Sequence, residues 1–191
     1  MASVKLPPLR EQAADILRRE IYSGRLANGQ ELTQEETAAA LGISRIPVRE
    51  AFLILESEGL LCRLPNLHVR VQGVTSASLH QNFQILAALE SQMALLALES
   101  GLPSLDALSD EELHSSFAAA LKNPGLQQLY VTQRRGSFSS ILEALPPMPT
   151  RDALNAALRQ ALASASSDAV RHAIYDYYHA MAAFAAKELK L

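Results

Sequence analysis

The chain has 191 residues, a formal net charge of −3, 49% hydrophobic residues and 19% charged residues. This is the composition of a globular protein, which excludes a disordered charged tail and a wholly basic nucleic-acid coat. No apolar run approaches the ~18 residues of a membrane span, and the N-terminus lacks the apolar core of a secretory signal. The single cysteine, Cys62, allows no intramolecular disulfide. We therefore expect a protein of the cytoplasm that has no membrane partner.

The sequence divides near residue 75 into two parts with different patterns. Positive and negative residues balance in residues 1–74, so the net negative charge lies in residues 75–191. The first part contains three helical patterns followed by two short strand patterns, whereas the second part is helical throughout. In the second part, Ser109 and Glu112 have the spacing of a capping box, and a further helix is predicted over about residues 126–145 with a weak point at Gly136. We therefore predict a mainly α-helical protein, with a small domain of three helices and a hairpin in residues 1–74 and an all-α bundle in residues 75–191.

In the first part, apolar spacing and the glycines that follow it predict helices over about residues 9–23, 33–41 and 44–58. Thr33 and Glu36 have the spacing of a capping box at the start of the second helix. Ser44, a favoured N-cap residue type, begins the third helix.

The second and third helices are separated only by Gly42-Ile43-Ser44. This spacing is typical of a helix-turn-helix, in which the second of the two helices enters the major groove of DNA. Two strands follow, over residues 60–63 and 68–71, with a turn at Pro65-Asn66, and we interpret this β-hairpin as the wing of a winged helix-turn-helix. The pattern leaves open a three-helix module whose hairpin binds a protein or binds nothing.

Residues 41–51 and 55–60 carry a more specific signal. They read Leu-Gly-Ile-Ser-Arg-Ile-Pro-Val-Arg-Glu-Ala and Leu-Glu-Ser-Glu-Gly-Leu, and they resemble the winged helix of the GntR family of bacterial transcription regulators. The resemblance extends from about Leu9 to Val71. It implies the DNA-binding residues Thr33, Ser44, Arg45, Arg49, His68 and Arg70.

The chemistry of these residues agrees with the implied roles. Arg45 and Arg49 lie one helical turn apart, and an arginine suits both guanine O6/N7 and phosphate. Thr33 and Ser44 are expected on phosphate, with His68 and Arg70 in the wing. The alternative is a pair of solvated surface arginines, with Arg49 paired to Glu56 or Glu50. A dimeric helix-turn-helix reads an inverted repeat in double-stranded DNA, so we expect a homodimer and such an operator.

Three positions depart from the family pattern. Glu35 is acidic where many relatives carry a basic residue, and a carboxylate there repels phosphate. Ile46 stands where relatives often have Thr, so it can touch a thymine methyl group but cannot form a hydrogen bond. The wing tip reads Leu67-His68 in place of Arg-Gly, and the turn thereby loses a residue that tolerates positive φ.

The second part resembles the FCD-type ligand-binding bundle of FadR/VanR-like members of that family. The resemblance rests on Asp110-x-x-Leu-His114 followed by Asn-Pro, and on a later Asp followed by His179. It implies one divalent metal ion (Zn, Ni or Mn) held by Asp110, His114 and His179, with Asn155 at the fourth position. Asp110 and His114 lie at i and i+4, which lets both ligate one ion. The alternative is that these residues are surface or core-edge groups.

We therefore predict a sequence-specific transcriptional regulator that responds to a small metabolite. The expected class of metabolite is an organic acid, which binds through its carboxylate. We predict no enzymatic activity, because no nucleophilic constellation and no phosphate-binding loop is found. Two alternatives stay open at this point: a metal-dependent helical-bundle enzyme with an accessory winged helix, and a DNA binder that responds to no effector.

Overall fold

A computed structural model of the chain describes residues 7–102, 108–134, 141, 143 and 145–191. These residues form two compact units, Met1–Thr75 and Ser76–Leu191. The division falls one residue after the boundary predicted from composition.

The first unit contains three helices and a three-stranded antiparallel sheet. The helices are α1 (Leu9–Tyr22), α2 (Gln34–Leu41) and α3 (Arg45–Ser57), and the strands are β1 (Glu31–Leu32), β2 (Leu61–Arg63) and β3 (Val69–Val71). The strand order is β1-β3-β2, which confirms the predicted hairpin of β2 and β3. Strand β1 was not predicted; it pairs Glu31 with Arg70 and Leu32 with Val69.

The core of the first unit lies between α1 and α3. Leu17 and Ile21 of α1 and Val48, Phe52 and Leu55 of α3 are each at most 5% exposed. These positions recur every three or four residues, so each helix buries one face and leaves the other in water.

One arginine is buried at this α1–α3 contact. Arg18 of α1 is 4% exposed and donates two hydrogen bonds, of 2.8 and 2.7 Å, to the carboxylate of Glu58. Glu58 follows the last residue of α3. The bidentate pair therefore joins the two helices and satisfies a charge that would be costly to bury alone.

The second unit is a bundle of long helices. Its described helices are α4 (Ser76–Ser100), α5 (Asp110–Ala120), α6 (Pro124–Gln133), α7 (Arg151–Ala163) and α8 (Ser167–Glu188). Helices α4 and α8 form the most extensive contact between elements, and α7 packs on α8. Among the helices that the structure describes, none has the length and apolar character needed to cross a membrane.

Local capping explains where several bundle helices begin. The hydroxyl of Ser109 accepts a hydrogen bond from the backbone N–H of Glu112, and the Glu112 carboxylate accepts one from Ser109 N–H, which is a complete capping box. Asn123 and Ser166 cap α6 and α8 in the same way with their side-chain oxygens. The sequence predicted a helix over about residues 126–145; α6 ends at Gln133, and the weak point expected at Gly136 lies outside the described residues.

Candidate DNA-binding surface and bundle cluster

Helix α3 presents its two candidate arginines to solvent. Val48 is 0% exposed and Phe52 1% exposed, so the opposite face of the helix is anchored in the core. Arg45 and Arg49 are both exposed. Gly42 allows the sharp turn before this helix because it adopts φ +66°, in the left-handed region. The predicted helix-turn-helix geometry is therefore present.

The two arginines differ in their surroundings. Nη1 of Arg45 lies 3.8 Å from Oε2 of Glu35, and both side chains are largely exposed. Within the described parts of the chain, Arg49 has no ion-pair partner. The sequence left open a pairing of Arg49 with Glu50 or Glu56, but these carboxylates pair with other residues. Glu50 lies 3.8 Å from Arg10, and Glu56 accepts hydrogen bonds of 2.8 and 2.9 Å from Arg63.

The two predicted cap residues behave differently. Thr33 caps α2: its hydroxyl accepts from the backbone N–H of Glu36 at 3.1 Å and donates to the Glu36 carboxylate at 2.8 Å. Ser44 occupies the N-cap position of α3 with extended backbone angles, but its side chain makes no capping hydrogen bond. The predicted N-cap position of Ser44 is therefore confirmed, although the helix starts without a capping hydrogen bond from this side chain. The predicted contacts of Thr33 and Ser44 with phosphate stay predictions.

The wing holds its two candidate residues beside a carboxylate. Nη2 of Arg70 donates to Oε1 of Glu31 at 2.8 Å, and this hydrogen bond is the main reason that the pKa of Glu31 is lowered. Nδ1 of His68 lies 3.8 Å from Glu31 and 3.1 Å from the amide nitrogen of Asn66. Leu67 adopts φ +66°, a conformation that strains a branched residue. The unpredicted strand β1 brings Glu31 here, because it pairs Glu31 directly with Arg70.

A cluster of buried polar side chains lies inside the bundle, and Glu90 is at its centre. Glu90, of α4, is 0% exposed in the middle of an apolar helix. Its Oε1 contacts Nδ1 of His114, which is also 0% exposed, and its Oε2 accepts hydrogen bonds of 2.6 Å from the hydroxyls of Tyr130 and Tyr178. Arg134 donates to the Tyr130 hydroxyl at 3.0 Å. The cluster thus joins α4, α5, α6 and α8.

The pKa values within the cluster follow from burial and from this pairing. Burial alone raises the pKa of Glu90, but the charge of His114 and the hydrogen bonds from His114, Tyr130 and Tyr178 outweigh it, so the pKa is lowered. Burial and the nearby Glu90 charge raise the pKa of both tyrosines well above 10. Glu90 is therefore a carboxylate at neutral pH, and the two tyrosines remain hydrogen-bond donors.

The other ring nitrogen of His114 contacts a side chain of α7. Nε2 of His114 lies 3.0 Å from Oδ1 of Asn155, which is 1% exposed. The Asn155 amide nitrogen has no hydrogen-bond partner within the described structure. Nε of Arg151, one helical turn earlier, is also buried without a partner there. The Tyr177 ring stacks 4.2 Å from the His114 ring and interacts with Arg151.

The predicted metal ligands do not converge. His114 and Asn155 are adjacent, but Asp110 is held by Arg159 at 3.3 Å, and the exposed His179 lies beside His80, with ring centroids 6.5 Å apart. In the portion of the chain that the structure describes, no three His, Cys, Asp or Glu side chains are grouped as metal ligands. A cage of Asp110, His114 and His179 is therefore not formed, and the residues present do not fit the ion.

The helical period explains the error at His179. Side chains two residues apart on a helix point to nearly opposite faces. Tyr177 and Tyr178 are the residues of α8 that face the interior beside His114, and His179 turns outward. Glu90 was missed as a site residue, although a carboxylate amid a buried stripe that includes Leu86 and Met93 is a signal that a partner must exist.

Comparisons with known proteins agree with this geometry. Residues 9–71 match the family model described as bacterial regulatory proteins, gntR family. The chain is 32% identical over 113 residues to an uncharacterised HTH-type transcriptional regulator, YdfH, of Escherichia coli O6:H1, an alignment that covers 59% of this chain and 50% of the relative. It is 31% identical over 112 residues to the HTH-type transcriptional repressor RspR of Escherichia coli K12, covering 59% and 49%.

The fold is also found among solved structures. The structure of E. coli McbR/YncC superposes with a TM-score of 0.66 at 22% identity, covering 95% of this chain and 99% of that one. By contrast, the chain spans about half the length of the curated relatives it matches. These relatives are named as transcriptional regulators and not as enzymes. Residues 9–71 of this chain are therefore similar to the GntR family of bacterial regulatory proteins.

Proposed function

We propose that the chain is a cytoplasmic, dimeric transcriptional regulator whose first unit reads DNA and whose bundle is an FCD-type domain that binds a small-molecule effector. The observation that carries the DNA-binding function is helix α3. It buries Val48 and Phe52 and exposes Arg45 and Arg49 one turn apart. Side chains arranged in this way reach base edges and phosphates when the helix lies in a major groove.

Selection from random duplexes tests the DNA function. The 191-residue chain is incubated with random-sequence DNA at about 150 mM salt, because binding to DNA depends steeply on ionic strength. We expect enrichment of an inverted repeat whose half-sites lie about one helical turn apart or a multiple of it. Loss of enrichment in Arg49→Ala, with enrichment retained in the Arg171→Ala control on α8, supports α3 as the reading helix. Failure to enrich any sequence contradicts the proposal.

The exposed face of α4 supports the dimer. From residue 76 to residue 98 this face carries amide, alanine and apolar side chains and no ionised group, and Ile85 is 67% exposed. Depletion of charge is typical of the centre of a protein interface. We therefore expect Ile85→Glu to give a monomer by light scattering, whereas Leu129→Glu, at an exposed apolar residue of α6, leaves the dimer intact. A wild-type monomer contradicts the dimer.

The buried donors on α7 support an anionic effector. Arg151 and Asn155 lie at i and i+4, so they share one face of the helix, and each has a buried nitrogen with no partner within the described structure. A ligand that supplies acceptor oxygens satisfies such donors, and a carboxylate is the ligand class that fits both. Since the metal cage is not formed, we propose direct recognition of the carboxylate by these side chains.

A thermal-shift comparison tests this site with acetate, succinate and citrate as the probes. At equal ionic strength, we expect at least one of them to raise the melting temperature of the wild type above its value in chloride. The rise should be lost in Arg151→Gln and kept in Arg171→Gln, a matched change at an exposed residue. An equal response of all three proteins contradicts the site. No response to any of the three probes favours the alternative of a DNA binder without an effector.

A further inference from the structure

We infer that Glu35 is a specificity-determining residue, and that Glu35 and Arg45 act as a pair that reads one G·C base pair. The inference rests on the proposed DNA-binding function. Glu35 is in the first turn of α2 and Arg45 is the first residue of α3. The turn at Gly42 folds the two helices so that the side chains meet on the solvent side.

The pair is open, unlike its neighbours. Nη1 of Arg45 and Oε2 of Glu35 are 3.8 Å apart, which is beyond hydrogen-bond distance, and the side chains are 69% and 83% exposed. Arg63 and Glu56, in contrast, form two hydrogen bonds of 2.8 and 2.9 Å. The polar atoms of Glu35 and Arg45 therefore keep their capacity to bond to another molecule.

Glu35 also has no other task within the described structure. Its neighbour Glu36 completes the cap of α2 with Thr33, so the cap does not need Glu35. A carboxylate in a first turn is favoured by the helix dipole. The helix dipole explains why an acidic residue is favoured in this turn. It does not explain why the Glu35 side chain lies beside Arg45, the first residue of α3.

A G·C base pair matches this arrangement of one donor group and one acceptor group. In the major groove, guanine presents the acceptors O6 and N7, and cytosine presents the N4 amino donor beside them. The Arg45 guanidinium can donate to guanine while the Glu35 carboxylate accepts from cytosine N4. In an A·T pair the N6 amino donor lies between the acceptors N7 and O4, so Arg45 loses the adjacent acceptors O6 and N7 that guanine offers. In a reversed C·G pair the donor and the acceptors exchange places, so the Glu35 carboxylate faces acceptors, which is costly.

The same carboxylate lowers affinity for DNA in general. Glu35 adds a negative charge to a surface that approaches phosphates, so it weakens binding to every sequence. At a G·C pair the hydrogen bond offsets this repulsion. Glu35 therefore lowers the affinity for DNA of any sequence and raises the discrimination between base pairs, and substitutions can separate the two effects.

The experiment compares wild type, Glu35→Ala and Glu35→Gln on the selected operator, on its single-base-pair variants and on random duplex, by fluorescence anisotropy at one salt concentration. Alanine removes both the charge and the acceptor, whereas glutamine removes only the charge. We expect both variants to bind random duplex a few-fold more tightly. In Glu35→Ala, discrimination at one G·C position should fall about ten-fold, whereas Glu35→Gln keeps part of it. Glu11→Gln, in the first turn of α1, is the matched control and should change neither quantity.

Two results overturn the inference. If Glu35→Ala strengthens binding to the operator and to all its variants by one common factor, Glu35 only repels phosphate. If it changes no affinity at all, Glu35 does not approach DNA. Helix content and melting temperature of each variant establish that α2 is intact. If the wild type itself does not distinguish the operator from random duplex, the proposed DNA-reading function fails, and this result is separate from the other two.

Discussion

Both units pair carboxylates with cationic side chains, but the pairs on the candidate DNA-binding surface of the first unit are far more exposed than the pair in the bundle cluster. In the first unit, the side chains of Arg45 and Glu35 are 69% and 83% exposed, and those of Arg70 and Glu31 are 48% and 44% exposed. In the bundle, His114 and Glu90 are both 0% exposed. Water and salt screen the first kind of pair, so such a pair contributes little to stability and can open. The second kind is shielded and cannot open without exposing the core.

The difference matches what each surface is proposed to do. A DNA-binding face must exchange its internal ion pairs for phosphates and bases, and loosely paired exposed arginines allow this at small cost. The bundle cluster must keep a charge buried, so each oxygen of Glu90 is occupied, by His114 and by the hydroxyls of Tyr130 and Tyr178. Similar residue types thus serve exchange on the surface proposed to bind DNA and structure inside the bundle.

The largest effect should follow from removing the buried carboxylate. We expect Glu90→Ala to lower the free energy of unfolding of the bundle by about 3–5 kcal/mol, because His114 and two tyrosine hydroxyls then lose their acceptor while still buried. The Tyr130 hydroxyl keeps a second acceptor, the carbonyl of His114 at 2.9 Å, so the loss falls mainly on His114 and Tyr178. Urea denaturation followed by circular dichroism measures this change. Glu99→Ala, at an exposed position of the same helix α4, should stay within about 0.5 kcal/mol of wild type. Similar losses in the two variants would mean that the cluster has no special role.

The second effect is a loss of bundle stability in acid. The pKa of Glu90 lies below its unfolded value of 4.5 in the folded bundle, so the folded state favours the deprotonated form. Its contribution is complete above the unfolded value and is lost as the pH falls through the lower, folded value. Urea midpoints between about pH 6 and pH 3 should therefore fall more steeply for wild type than for Glu90→Gln, which has no titrating group there. Parallel curves for the two proteins would show that Glu90 does not hold the charge.

The smallest effect concerns the exposed wing. Glu31→Gln removes the carboxylate that holds Arg70 and His68, so we expect tighter DNA binding and a steeper dependence of log K on log salt, by up to about 1. Anisotropy titrations at graded salt measure the slope. Glu20→Gln is the matched control, because it frees Arg25 from a comparable pair on α1 that is not part of the predicted DNA-binding set. An unchanged slope in Glu31→Gln would exclude Arg70 from the interface.

Local signals in the sequence predicted most of the fold. The cap at Thr33, the capping box at Ser109 and the glycine at position 42 each act within a few residues of chain, so the pattern alone places these helix ends. Strand β1 was missed because it has only two residues, and it exists through pairing with Val69 and Arg70 nearly forty residues later.

The bundle site was harder to predict because it depends on which face each helix turns inward. On α8, Tyr177 and not His179 faces His114, because side chains two residues apart lie on nearly opposite faces of a helix. The predicted metal ligand His179 therefore lies outside the cluster. Asp110 was misassigned for a different reason: Arg159, which pairs with it, lies 49 residues away along the chain. The composition of such a site depends on partner residues that the fold brings from other helices. A short sequence motif does not include these partner residues.

The most direct test of the central claim, that α3 reads DNA sequence, is the ratio of affinities for the selected operator and for a scrambled duplex, measured for wild type and Arg49→Ala at about 150 mM salt. We predict a wild-type ratio of roughly 10³ or more. In Arg49→Ala we predict a loss of about 1–3 kcal/mol of DNA-binding free energy, and we expect this loss to be confined to one base-pair position in each half-site. A wild-type ratio near one, or a ratio that Arg49→Ala leaves unchanged, would contradict the claim.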